Sequence, residues 1–115
     1  MLEKNKHHSG PIREIRTTIL QLLPNGYPKL SVVANLVGIS RRTLQRRLMM
    51  IGTTYTNLVN ELRFDLADEL LQNDEMKISK IATELGFVNH SGFCRAFRGW
   101  SGMTPRQYRS RMQKG

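Results

Sequence analysis

Two short clusters of polar side chains carry the chemistry of this chain. The first is Ser40, Arg41, Arg42, Gln45, Arg46 and Arg47; the second is Asn89, His90, Ser91, Arg95 and Arg98. An arginine fork matches the guanine edge or a phosphate, and a glutamine amide matches the adenine edge. Each cluster surrounds an apolar pair at i,i+4, Leu44 with Leu48 and Phe93 with Phe97. That spacing anchors one face of a helix and turns the polar residues outward, as reading a duplex through its major groove requires. Ser40 and Asn89 stand where each helix starts. There the free backbone N–H groups and the helix dipole favour phosphates, with Arg41 alongside. Arg47, Arg98 and Arg106 are further phosphate candidates.

What must position these clusters is a repeated unit. Val33-Ala34-x-x-Val37-Gly38-Ile39 precedes the first cluster, and Ile81-Ala82-x-x-Leu85-Gly86-Phe87 precedes the second, 48 residues later. A small Ala lets two helices approach, and a Gly four residues on takes the left-handed turn that side chains disfavour. The match runs on through Leu44/Phe93, Arg46/Arg95, Leu48/Phe97, Gly52/Gly102 and Thr54/Thr104.

The spacing predicts an all-α chain of seven helices, two helix-turn-helix subdomains joined by a long central helix. Residues 1–9 read as a polar tail or linker, 10–53 as the first subdomain, 54–73 as the connecting helix and 74–115 as the second. The first helix is expected from Ser9-Gly10-Pro11, with Ile12, Ile15, Ile19, Leu22 and Leu23 on one face, and it stops at Pro24-Asn25-Gly26. Thr54 caps the central helix, in which Leu58, Leu62, Leu66 and Leu70 recur every four residues. Thr104-Pro105-x-Gln107 reads as a capping box that opens the last helix. About 18 residues at roughly 1.5 Å each make a rod of about 27 Å. Successive major grooves on one face of DNA lie about 34 Å apart, so the rod suits two adjacent grooves.

The composition agrees. The 115 residues hold 18 Lys+Arg against 9 Asp+Glu, a net charge of +9, and 12 of the 18 are Arg. A single cysteine, Cys94, excludes an internal disulfide and fits a reducing cytoplasm. There is no Cys/His set with zinc spacing, no phosphate loop and no nucleophile–base set, so neither metal, cofactor nor enzymatic activity is expected. The first residues have no apolar core of a signal peptide, and no apolar run is long enough for a membrane.

These residues bring a resemblance into view. Ile78-Ser79-Lys80-Ile81-Ala82-Thr83-Glu84-Leu85-Gly86-Phe87 and Phe93-Cys94-Arg95-Ala96-Phe97-Arg98-Gly99-Trp100-x-Gly102-Met103-Thr104-Pro105-x-x-Tyr108-Arg109 resemble the DNA-binding domain of the AraC/XylS family of bacterial transcription regulators. Ser40-x-x-Thr43-Leu44-Gln45-Arg46-Arg47-Leu48 and Arg63-x-x-x-Ala67-x-x-Leu70-Leu71 extend the likeness, which spans roughly residues 12 to 112. The resemblance implies a transcription regulator; activator is the role expected, and the sequence itself leaves activation versus repression open. It implies a monomeric reader of two adjacent major-groove segments of double-stranded DNA, near the promoter elements that RNA polymerase uses. It singles out Arg42, Gln45, Arg46, His90, Ser91 and Arg95 as base contacts. Family members usually carry a further sensor or dimerisation domain that does not fit in this length. A fragment of a larger regulator is therefore expected, with a small stand-alone member as the alternative. Gly92 departs from the family's larger residue early in its helix, so the first unit is expected to discriminate more.

The plainer readings weigh against several single residues. The leucine row reads as core before dimer zipper. Trp100 reads as core and Cys94 as a packing residue, and Arg63 as the holder of a tertiary ion pair or hydrogen bond. Asp68, Glu69, Asp74, Glu75 and Glu84 read as a solvated face. An RNA-binding or polymerase-associated helical protein is the competing class, but the aromatic platform of single-strand RNA readers is missing. A pure interaction module is a third.

Overall fold

The protein is described from a computed structural model that covers residues 11–114, with side chains from Ile12 to Gln113. The expected tail at 1–9 and the helix start at Ser9-Gly10 lie outside the described residues. Seven α-helices and no strand are found among the described residues: α1 (Pro11–Leu22), α2 (Leu30–Val37), α3 (Arg41–Met50), α4 (Tyr55–Leu71), α5 (Ile78–Glu84), α6 (His90–Ser101) and α7 (Pro105–Lys114). A 3-10 turn, Leu23–Asn25, follows α1. The chain forms two compact units. Among the described residues, one holds 11–22 together with Pro28–Leu62; the other holds Leu23–Tyr27 and 63–114. The short segment after α1 thus belongs with the second unit, and the unit boundary passes through α4.

Four of the helices, α3, α4, α6 and α7, start at a side chain that satisfies one of their first N–H groups, whereas α2 and α5 start at Lys29 and Lys77 without a side-chain cap. Ser40 Oγ accepts from Thr43 N at 3.0 Å, and Asn89 Oδ1 from Gly92 N at 2.8 Å. Thr54 Oγ1 accepts from Asn57 N at 3.1 Å. At α7 the capping box closes both ways: Gln107 N donates to Thr104 Oγ1 at 3.1 Å and Thr104 N to Gln107 Oε1 at 3.0 Å. Gly38 and Gly86 take φ +87° and +84°, the left-handed geometry expected at the two turns.

Three-dimensional burial carries the repeat further than the turns. Ile15, Ile19 and Leu23 recur, at the same offset, as Arg63, Ala67 and Leu71, and all six are buried. Tyr55, Leu58 and Leu62 recur 50 residues on as Pro105, Tyr108 and Met112. Each unit is therefore a four-helix repeat. The first half of α4 closes the first copy and corresponds to α7. The second half opens the second copy and corresponds to α1.

That double duty changes the leucine row. Leu58 and Leu62 are buried, but Leu66 and Leu70 are only partly so, and Ala67 and Leu71 hold the fully buried places beyond them. Each i,i+4 step advances a row by about 40° round the helix, so a strict row of four leaves any one face. The core of the second unit gathers Ala67, Leu71, Ile81, Ala82, Leu85, Phe93 and Phe97, with Trp100 and Tyr108 packed against it. Phe97 meets Tyr108 edge-on, 5.0 Å apart at 80°, and stacks on Phe64 at 5.6 Å and 27°.

Candidate nucleic-acid interface

α3 and α6 carry the two polar clusters as the spacing predicts. Leu44, Leu48, Phe93 and Phe97 have no exposed surface, so the inward face of each helix is fixed. On α3, Arg41, Arg42, Gln45 and Arg46 are exposed and Arg47 is half-buried; on α6, His90, Ser91, Arg95 and Arg98 are exposed. Among the described residues Arg42, Arg46, Arg95 and Arg98 enter no ion pair. Four cations left without carboxylates are charge available to an outside anion.

The cap residues do two things at once. Ser40 Oγ accepts from Thr43 N and donates to Thr43 Oγ1 at 2.9 Å, so its hydroxyl is committed to the cap. Asn89 is committed through Oδ1 in the same way. Both order the first turn from which the recognition residues project.

In the second unit His90 and Arg106 line one cleft of about 510 Å³ with Lys77 and Ser79, which brings the beginnings of α5, α6 and α7 together. Asp74 and Glu75 line it too, so this cleft is mixed in charge. Cys94 Sγ lies 3.6 Å from His90 Nδ1, one helical turn on. Burial pushes the Cys94 thiol above its ordinary value, against the opposing charge of Arg106. The thiol therefore stays protonated at neutral pH; Cys94 itself is only half-buried.

Three polar anchors hold the frame beneath these faces. Arg63 is the one buried charged residue among those described, at 7% exposure. It makes the tertiary hydrogen bonds expected of it, Nε to Leu85 O at 2.9 Å and a terminal nitrogen to Gly86 O at 3.2 Å. Arg109 donates to Leu71 O at 3.0 Å, Asn73 O at 3.1 Å and Met76 O at 2.8 Å, which clamps the loop between α4 and α5. Tyr55 OH donates to Pro28 O at 2.5 Å in the first unit. Pro28 and Met76 are equivalent positions of the repeat, so each copy ties the same carbonyl to its closing helix, once with a phenol and once with a guanidinium.

The acidic residues are less uniformly solvated than the sequence implies. Asp68 Oδ1 accepts from Tyr108 OH at 2.7 Å, Asp74 accepts from Gln113, and Glu84 pairs with Lys80 at 3.5 Å. The bond to Asp68 is the first cause, with burial second, that raises the Tyr108 hydroxyl to about 12.

A helix-turn-helix domain family model matches residues 33–111, most of the chain and both turns. The chain belongs to the AraC/XylS family of helix-turn-helix transcription regulators. It is 36% identical over 100 residues to the ornithine utilization regulator of Pseudomonas aeruginosa, covering 87% of this chain and 29% of that protein. A solved regulator with an AraC-type DNA-binding domain, from Chromobacterium violaceum, superposes with a TM-score of 0.73 at 25% identity, over 96% of this chain and 95% of that one. The DNA-binding domain of AdpA, solved in complex with a target DNA, has the same fold: TM-score 0.77, 24% identity, 92% and 96% covered. The chain spans 29–32% of the length of the first curated relatives it matches. No helix among the described residues is long and apolar enough to cross a membrane.

Proposed function

We propose that this chain is the sequence-reading part of a DNA-binding transcription regulator, and that each unit lays its recognition helix in one major-groove segment of the same duplex. The carrying observation is that α3 and α6 each combine a fully buried i,i+4 apolar pair with exposed residues able to read bases. Arg42, Gln45 and Arg46 on α3, and His90, Ser91 and Arg95 on α6, are the base contacts. Ser40, Arg41, Arg47, Asn89, Arg98 and Arg106 hold phosphates, Ser40 and Asn89 through the helix N-termini that they cap. The segment acts as a monomer, because its symmetry is internal. It works in the cytoplasm, without catalysis, at promoters where RNA polymerase is the neighbour; the relatives' names as regulators support this reading.

In-vitro selection of duplexes from a random pool tests it. The bound sequences should show two informative blocks about 10 bp apart, unrelated in sequence because the two helices differ. The four arginines among these phosphate contacts imply a log–log salt slope of about −4. A slope near zero, or equal affinity for single-stranded RNA, would overturn the proposal.

A further inference from the structure

Arg63 occupies a position at which the two copies of the framework differ in kind. Its equivalent in the first unit is Ile15, a side chain with no exposed surface and no donor. The Arg63 guanidinium lies across the second helix-turn-helix turn. It donates to Leu85 O and Gly86 O, and its carbon stands 4.0 Å from the centre of the Phe87 ring and 5.2 Å from that of Tyr27. Leu85 is the C-cap of α5, where the last carbonyls lack partners within the helix. A planar fork can satisfy two successive carbonyls while stacking on a ring; a lysine ammonium cannot do both in one pose. On its other side Gly86 is closed in by Leu23 and Gly26, so the turn is held from two directions. α6 begins four residues beyond Gly86, at His90.

We propose that Arg63 is a positioning residue for base reading by the second unit: by fixing the Leu85-Gly86-Phe87 turn on α4 it sets the direction in which α6 presents His90, Ser91 and Arg95. The inference rests on the DNA-reading function proposed above. It confines the effect of Arg63 to one of the two blocks, since the equivalent residue of the first unit, Ile15, has no donor to offer a turn carbonyl.

The test is duplex selection with the wild-type chain, Arg63→Lys and Arg63→Met, scoring base preference block by block beside thermal melting and Trp100 fluorescence. For the folded variants, preference in the block read by α6 should fall about tenfold, while the block read by α3 stays within twofold. A folded variant that keeps both blocks within twofold, or weakens both equally, overturns the proposal. If both substitutions unfold the chain, Phe87→Leu decides. It removes the stacking face and leaves both hydrogen bonds, and about a threefold loss confined to the same block is expected; no change there overturns the proposal. A wild-type chain that selects no paired blocks counts against the DNA-reading function itself, not against the role of Arg63.

Discussion

Alanine at Gly38 and at Gly86 should have unequal costs, although the two glycines are equivalent in the repeat. Both have positive φ, +87° and +84°. An L-residue in that region costs about 1–2 kcal/mol, and the stiffer unfolded chain returns up to about 1 kcal/mol. At Gly38 a Cβ would meet nothing within 4 Å, so the expected loss is about 1 kcal/mol. At Gly86 a Cβ would stand 2.4 Å from Leu23 O and 2.9 Å from both C and O of Gly26. These are backbone atoms, so the Leu23–Tyr27 segment must shift by most of an ångström. Overpacking of that kind adds about 1–3 kcal/mol, for a total of about 2–4 kcal/mol. In a domain stable by about 5–15 kcal/mol this is a large share. Urea unfolding followed by far-ultraviolet circular dichroism measures both variants. Fluorescence of Trp100, the only tryptophan and one packed in the second unit's core, should show Gly86→Ala shifted well beyond Gly38→Ala. Equal losses would refute the close approach of Leu23 and Gly26 to the second turn.

Gly92, by contrast, is a glycine that the fold does not require. A Cβ there would make near-ordinary contacts, 3.4 Å to Asn89 Oδ1 and 3.7 Å to Phe87 Cδ1, so Gly92→Ala should stabilise by about 0.5–1 kcal/mol through helix propensity; a drop in melting temperature would count against this. Arg46→Ala should cost about 1–3 kcal/mol on the selected duplex and relax one or two base positions. Arg95→Ala, on the helix that carries Gly92, should lose affinity with less loss of preference; the reverse ranking in a selection experiment would show the second unit to be the main discriminator. The Tyr108 hydroxyl titrates near 12 in the fold against an ordinary 10, so its contribution is fully present below pH 10 and is lost as pH rises through 12. Unfolding midpoints measured from pH 8 to pH 12 should therefore fall less steeply for Tyr108→Phe than for the parent chain, and parallel slopes would dismiss the bond to Asp68 as the cause.

The sequence by itself determined what depends on neighbours three or four residues away. The N-caps at Ser40, Thr54, Asn89 and Thr104, the turns at Gly38 and Gly86, the anchor pairs Leu44/Leu48 and Phe93/Phe97, and the outward polar faces are all local, and the bonds that make them span one turn. Side-chain type and spacing encode such features directly, and an internal repeat states each of them twice. That the candidate recognition residues face outward was legible for the same reason. Tertiary structure alone decided which face of α4 is buried at each end, and that Leu23–Tyr27 packs with the second unit. It also decided what Arg63 and Arg109 hold. The need of Arg63 for a tertiary partner showed in its place on an apolar helix, but its acceptors lie 22 and 23 residues away, and those of Arg109 lie 33 to 38 residues away. They are main-chain carbonyls, present in every residue and marked by no side chain. Only the folded path of the chain selects which of them a buried guanidinium will meet.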